Sequence, residues 1–243
     1  MTAVVILPGL DGTTVLLEEF CAALGRLGVS ARAIGYPTTR VLGYEELEQS
    51  VRAQLPTTEP YVLLGESFSG PLAIRIAANP PPGLVGLALS TTFACAPVPA
   101  LASLAPLVRF APARPPMTLL PWALLGRWSS SALQSALASA LAAVSPAVLR
   151  ARATAALQVN VAALLPSIGV PALQLVGQQD RLLSAYASTA LSAGLPNCRT
   201  VSIPGPHLLL QTATQRCAQE VAAFALGLGP SNSKPTALIV PTL

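Results

Sequence analysis

Six short apolar runs, each followed by a segment of helical periodicity, constrain the fold of this 243-residue chain more than any other feature. "AVVILPGLDG" (3–12) is a β-branched run closed by a Pro-Gly turn and predicts a buried strand. "TVLLEEFCAALGRLG" follows with helical spacing: Val15, Phe20, Leu24 and Leu27 share one face, and Gly28 is the expected stop. "SARAIGYP" is the second strand, ended by Pro37. "YEELEQSVRAQL" is a helix with acids in its first turns, where the helix dipole favours them. "YVLLGE" is strand three, "PLAIRIAAN" a helix and "LVGLALST" strand four. "ALQLVGQQD" is strand five, "YASTALSAG" a helix, "CRTVSI" strand six and "TQRCAQEVAAFALG" the last helix. Strands alternating with helices predict an α/β fold: a mostly parallel sheet of about six strands, with helices on both faces.

The alternation breaks once, over 97–166, which is rich in Ala, Leu, Ser and Pro. Within it "SSSALQSALASALAAV" puts Leu133, Leu137, Leu141 and Val144 on one stripe behind a serine cap. Ser145-Pro146 then opens a further helix, with serine as cap and proline in the first position. The expected organisation is a core from 1–96 and 167–228, an insertion at 97–166, and an appended tail at 229–243 that carries the one lysine.

Composition narrows the function classes. Hydrophobic residues make up 52% and charged residues 10%, with a mean hydropathy of +0.60, which raises the question of a membrane span. The longest uncharged stretches are interrupted by prolines or are mostly Ala and Ser, so stable membrane insertion is not expected. "MTAVVILPGL" lacks the basic and apolar regions of a secretory signal, which points to the cytoplasm; the mature form of an exported precursor would look the same. The net charge is +4, but the arginines are scattered without a basic run, so nucleic-acid binding is not expected. Four cysteines without a C-x-x-C pair, and one histidine, argue against a zinc site; reduced, mostly buried thiols are expected.

Sheets of this kind place their chemistry at the carboxyl ends of the strands. Leu10-Asp11, Glu66-Ser67, Thr91-Thr92, Asp180 and His207 all follow strands. In "LLGESFSGPLA" the strand–turn–helix corner exposes a hydroxyl and sets the next N–H at a helix start. Such a corner needs small residues two before and two after the nucleophile. Around Ser67 these are Gly65 and Ser69; around Ser69 they would be Ser67 and Pro71. Ser67 is therefore the candidate nucleophile and Ser69 the small residue that permits the turn. The competing role for Ser67 is a turn residue capping the helix at Pro71. Any serine–histidine mechanism must use His207, which lies in the Pro/Gly loop of "SIPGPHLLLQ". Asp180 is one of only two aspartates, and its competing role is a helix N-cap. The order Ser67, Asp180, His207 is the chain order of the elbow architecture. The backbone N–H groups of Phe68 and Leu10 are the candidate oxyanion donors, with Gly9 and Gly12 allowing the loop to approach closely. Asp11 is read as shaping that loop, because a carboxylate beside an oxyanion would repel it.

With "LPGLDGT", "LLGESFSGPLA", "LVGQQDRLL" and "GPHLLLQ" in place, the chain resembles the α/β-hydrolase superfamily over about residues 3–226. Within it the sequence is similar to small bacterial serine esterases with a short helical cap, and to the hydrolase part of plastid phytyl ester synthase-like acyltransferases. The resemblance implies carboxylic ester chemistry on a small-molecule ester, no cofactor or metal, and a cap at 97–166 that shapes an acyl pocket. The sequence departs from the pattern at Ser69, where glycine is usual, and at Pro8-Gly9, where His-Gly is common. The hairpin that usually precedes the first parallel strand is missing. The expected function is a carboxylesterase favouring short to medium acyl chains. The alternatives are an acyltransferase or thioesterase on the same triad, and, last, a non-catalytic ligand-binding module. Oligomeric state is left open.

Between Ser67 and Gln179 there is no acid but six arginines: Arg75, Arg109, Arg114, Arg127, Arg150 and Arg152. A positive rim could steer anionic substrates. The preferred reading is plainer: the arginines are solvated faces, and Phe110, Met117, Trp122 and Trp128 are cap core.

Overall fold

The computed structural model describes residues 2–97 and 119–228. Among these residues six strands form one parallel sheet in the order β2-β1-β3-β4-β5-β6. They are β1 (Ala3–Leu7), β2 (Ala31–Ala33), β3 (Tyr61–Glu66), β4 (Leu84–Ser90), β5 (Ala172–Gly177) and β6 (Cys198–Ile203). Each falls in a run that the sequence marks as a strand. β1 and β3 read as continuous apolar runs because both of their faces are covered. Val4, Ile6, Val62 and Leu64 face one layer, formed by helices α1 (Glu18–Arg26) and, at the end of the chain, Thr214–Gly227. Val5, Leu7, Tyr61 and Leu63 face the other, where α2 (Tyr44–Arg52) and α3 (Gly70–Ala78) pack. The chain runs from β1 outward to β2, then returns to place β3 on the other side of β1. The strand order therefore reverses between β1 and β3, and the loops at their carboxyl ends diverge there and open a crevice.

α1 is shorter than its periodicity predicts. Phe20 and Leu24 are buried, but Val15 is 45% and Leu27 38% exposed. Leu17 and Ala23 take their places in the core, because a turn of 3-10 helix at Val15–Leu17 rotates the entry away from a straight helical stripe. Gly28 ends the helix with φ at 77°.

The insertion leaves the core at Cys95 and returns at Asn160, where the two residues form an antiparallel bridge and the Val161 N–H donates to the Ala94 carbonyl at 2.8 Å. Between them lie a short helix at Leu120–Leu124 and two longer ones, α4 (Ser131–Ala142) and α5 (Pro146–Gln158). Ser130 and Ser145 cap them through the N–H groups of Leu133 and Val148. Leu137, Leu141, Val144, Val148 and Leu149 form a small core of their own over the sheet edge, joined by Leu125 and Leu208. Two further helices, α6 (Ala185–Gly194) and α7 (Thr214–Gly227), complete the covering layers. Among the described residues no single helix is long and apolar enough to cross a membrane; α4 and α5 pass that test only together and are bent by 101°.

Two expectations about the surface are corrected. Trp122 is 60% exposed rather than cap core. Among the cysteines only Cys217 is buried; Cys95 is exposed, and Cys21 and Cys198 are intermediate, all of them free thiols. The tail at 229–243, and Arg109, Phe110, Arg114 and Met117, lie outside the described residues.

Candidate active site

β3 ends at Glu66, and the chain turns through Ser67–Ser69 into α3. Ser67 has φ at 47°, a conformation that costs a side chain about 1–3 kcal/mol and lasts only where its surroundings enforce it. The surroundings here are tight. A Cβ on Gly65 would stand 2.7 Å from the Ser69 carbonyl oxygen and 2.8 Å from the Ala73 Cβ, and one on Gly70 would collide with Thr92. The Thr92 hydroxyl donates to the Ser67 carbonyl and pins the corner from the end of β4. Phe68 is held between two tyrosines: the Tyr44 ring stacks on it at 4.8 Å, the Tyr36 ring meets it edge-on, and the Tyr44 hydroxyl donates to its carbonyl at 2.9 Å.

The structure brings Ser67, His207 and Asp180 into one line. Ser67 Oγ lies 2.8 Å from His207 Nε2, and His207 Nδ1 lies 2.8 Å from Asp180 Oδ2. The imidazole and the carboxylate are both nearly sealed from solvent, at 4% and 7% side-chain exposure. The loops that carry them are zipped together. The Gln179 N–H donates to the Gly205 carbonyl and the Gly205 N–H to the Gln179 side chain, each at 2.9 Å. Gly177 is required there, because a Cβ would meet the Pro206 carbonyl oxygen at 2.6 Å. Asp180 does not fill its competing role, because Ser184 caps the helix that follows, α6; its Oδ1 accepts the N–H groups of Leu182 and Leu183 at 2.8 and 3.0 Å in the intervening turn while Oδ2 faces the histidine. Ser67 likewise caps no helix; α3 begins at Gly70, and the Ser67 hydroxyl is directed to His207.

The loop after β1 lies beside this line. The Gly12 N–H donates to the Gly9 carbonyl at 3.0 Å, closing a tight turn. In a trans peptide the N–H opposes the carbonyl, so this bond leaves the Leu10 N–H facing away from Gly12. Gly12 is needed for its φ of 67° and because a Cβ would collide with the Arg152 guanidinium; a Cβ on Gly9 would meet only ordinary contacts. Asp11 is buried, and its Oδ2 accepts the Thr13 N–H at 2.9 Å and the Thr13 hydroxyl at 2.5 Å, an arrangement that shapes the loop. Burial raises the Asp11 pKa, partly offset by Thr13 and by the Arg152 charge.

Three features escape a linear reading. Ser69 does more than fit: its hydroxyl donates to the Pro8 carbonyl and stands 2.5 Å from the Tyr36 hydroxyl, tying the elbow to β1. Glu66, immediately before the nucleophile, is 2% exposed, and burial pushes its carboxyl up to about 7, with Asp11 adding to the rise. Arg152 is also 2% exposed and is no solvated face. The "LPGLDG" glycines mark a close approach without naming the arginine that makes it.

A cavity of about 420 Å³ opens above Ser67, with Leu10, Phe68 and His207 at its base. Leu124, Leu137, Leu141 and Leu149 from the insertion, with Phe93 and Leu182, make its walls almost wholly apolar. The donor set fits nucleophilic catalysis on a carbonyl: a hydroxyl, a base, a carboxylate orienting the base, and backbone N–H groups.

The sequence profile described as the alpha/beta hydrolase family matches residues 4–222. No curated protein sequence matches the chain. Among solved structures, the chain is similar to the enol-lactonase from Burkholderia xenovorans, at 17% identity and a TM-score of 0.78, over 93% of this chain and 91% of that one. It is similar to an esterase from Exiguobacterium antarcticum at 15% identity and 0.77, over 93% and 92%. It is likewise similar to a thermophilic esterase from Thermogutta terrifontis at 20% identity and 0.74, over 95% and 91%. These likenesses concern the fold.

Proposed function

Since the chain belongs to the α/β hydrolase family, we propose that it is a serine carboxylesterase working through an acyl-enzyme on esters with an apolar acyl group of short to medium length. The observation that carries this reading is the hydrogen-bonded line Ser67 Oγ–His207 Nε2 and His207 Nδ1–Asp180 Oδ2. In the neutral histidine that suits this line, Nδ1 carries the proton and Nε2 accepts from Ser67; the tautomer is assigned from the partners. Ser67 Oγ attacks the ester carbonyl and passes its proton to Nε2. Asp180 orients the ring and stabilises the imidazolium. The carbonyl oxygen becomes an oxyanion held by the Leu10 and Phe68 N–H groups. Collapse breaks the bond to the alkoxy oxygen, which leaves with the proton from Nε2. Water then attacks the acyl-enzyme by the same route, releasing the acid and restoring Ser67. The apolar cavity supports an uncharged acyl chain, and the esterases and the enol-lactonase among the structural neighbours support the ester class.

The test is hydrolysis of p-nitrophenyl esters from acetate to palmitate by wild type, Ser67→Ala and His207→Ala. Each variant is expected to lose about 10³-fold or more in kcat while keeping its fold. Undiminished turnover in Ser67→Ala would remove the reading. Added alcohols distinguish hydrolysis from acyl transfer, because a transferase makes ester well beyond the alcohol's share of the nucleophile.

A further inference from the structure

The insertion reaches the loop after β1 through one buried side chain. Arg152, in the middle of α5, donates from one guanidinium nitrogen to the carbonyls of Leu10 at 3.1 Å and Asp11 at 2.6 Å. Its other terminal nitrogen donates to the Pro37 carbonyl at 2.9 Å, in the loop after β2. The guanidinium also lies 5.4 Å from the centre of the Tyr36 ring and packs so closely on Gly12 that no side chain fits there. Among the described residues its hydrogen-bond partners are all backbone carbonyls. Burying a charge is costly, and an apolar residue would serve a packed helix better if packing were all that was needed. A guanidinium differs from an ammonium in presenting a rigid fork that spans several acceptors at once.

The acceptors it spans are the peptide planes next to the candidate oxyanion donor. The Gly12 N–H holds the Gly9–Leu10 plane through the Gly9 carbonyl. Arg152 holds the next two planes through the carbonyls of Leu10 and Asp11. Peptide planes are rigid, so fixing three in succession fixes where the Leu10 N–H lies. We infer that Arg152 is a positioning residue that sets the oxyanion loop from the insertion, so that seating α5 and forming the oxyanion site are one event. This rests on the ester-hydrolase reading, in which the Leu10 N–H receives the oxyanion. The guanidinium takes no part in the chemistry; it acts through the loop.

The experiment uses the full chain with Arg152→Met, which keeps an apolar stem, Arg152→Lys, which keeps the charge without the fork, and Arg152→Ala. Removal of an oxyanion donor costs about 10²- to 10³-fold in kcat; misplacing one is expected to cost about 10- to 100-fold, with KM changed less than about threefold. Lysine is expected to rescue little, and millimolar guanidinium to restore part of the activity of Arg152→Ala. Hydrogen exchange of amides 9–13 should quicken in all three variants while β3 and β4 stay protected. Unchanged kcat in Arg152→Met overturns the inference, as does a fall that guanidinium and lysine leave indifferent and that tracks exchange across the whole sheet. If the wild type turns over no ester, the ester-hydrolase reading falls; the clamp is then judged by exchange, and loop amides unaffected by loss of Arg152 refute it.

Discussion

Ser69 sits where the elbow usually carries glycine, yet its hydroxyl is bound to the Pro8 carbonyl and beside the Tyr36 hydroxyl in a fully buried setting. Ser69→Gly would fit the turn but leave the buried Tyr36 hydroxyl without that partner. An unsatisfied buried polar group costs about 1–3 kcal/mol, so urea denaturation should show a loss of that size despite the return to the commoner residue. The three residues that the structure brings into one hydrogen-bonded line were readable in advance. A chain with one histidine and two aspartates offers few choices, and Ser67, Asp180 and His207 follow strands in an order that one architecture explains. Arg152 was not readable, because its partners are backbone carbonyls of residues more than a hundred positions away, which carry no side-chain signature.

At the scale of elements, periodicity located the strands and the two long helices of the insertion, since burial on one or both faces writes itself into the sequence. It misjudged α1 at both ends. Val15 belongs to a 3-10 turn and Leu27 to the helix terminus, and neither follows the helical angle on which the stripe was drawn. α4 gives a direct test of pocket depth. Leu141 is buried in the insertion's core and also lines the cavity over Ser67. Leu141→Ala should move the acyl-chain optimum to longer p-nitrophenyl esters and cost about 2–5 kcal/mol of stability, less where the walls relax into the space. An unchanged optimum would place the acyl group elsewhere.

For the whole molecule, the buried acid at the end of β3 links stability to pH. The Glu66 carboxyl has an ordinary value of 4.5 and is pushed up to about 7 in the folded chain, mainly by burial. Between those values the folded state keeps a proton that the unfolded state has released, so stability falls as pH rises. The contribution is fully present below about 4.5 and is lost as pH rises through about 7. Glu66→Gln removes this titration. Calorimetry at pH 8 should then show the variant gaining on wild type by about 3 °C or more relative to their difference at pH 4.5. A constant difference across that range would show that Glu66 does not titrate between the two states. The sequence by itself determined the alternation of strands and helices, its break between the fourth and fifth strands, and the residue types that a serine mechanism needs, because these follow from local periodicity and from scarcity. Tertiary structure alone decided the strand order that opens the crevice between β1 and β3. It also decided the burial of Glu66 and the reach of Arg152 from α5 to the loop after β1. Each depends on which distant segments meet, and a peptide carbonyl or a change of solvent exposure leaves no mark on the residues that supply it.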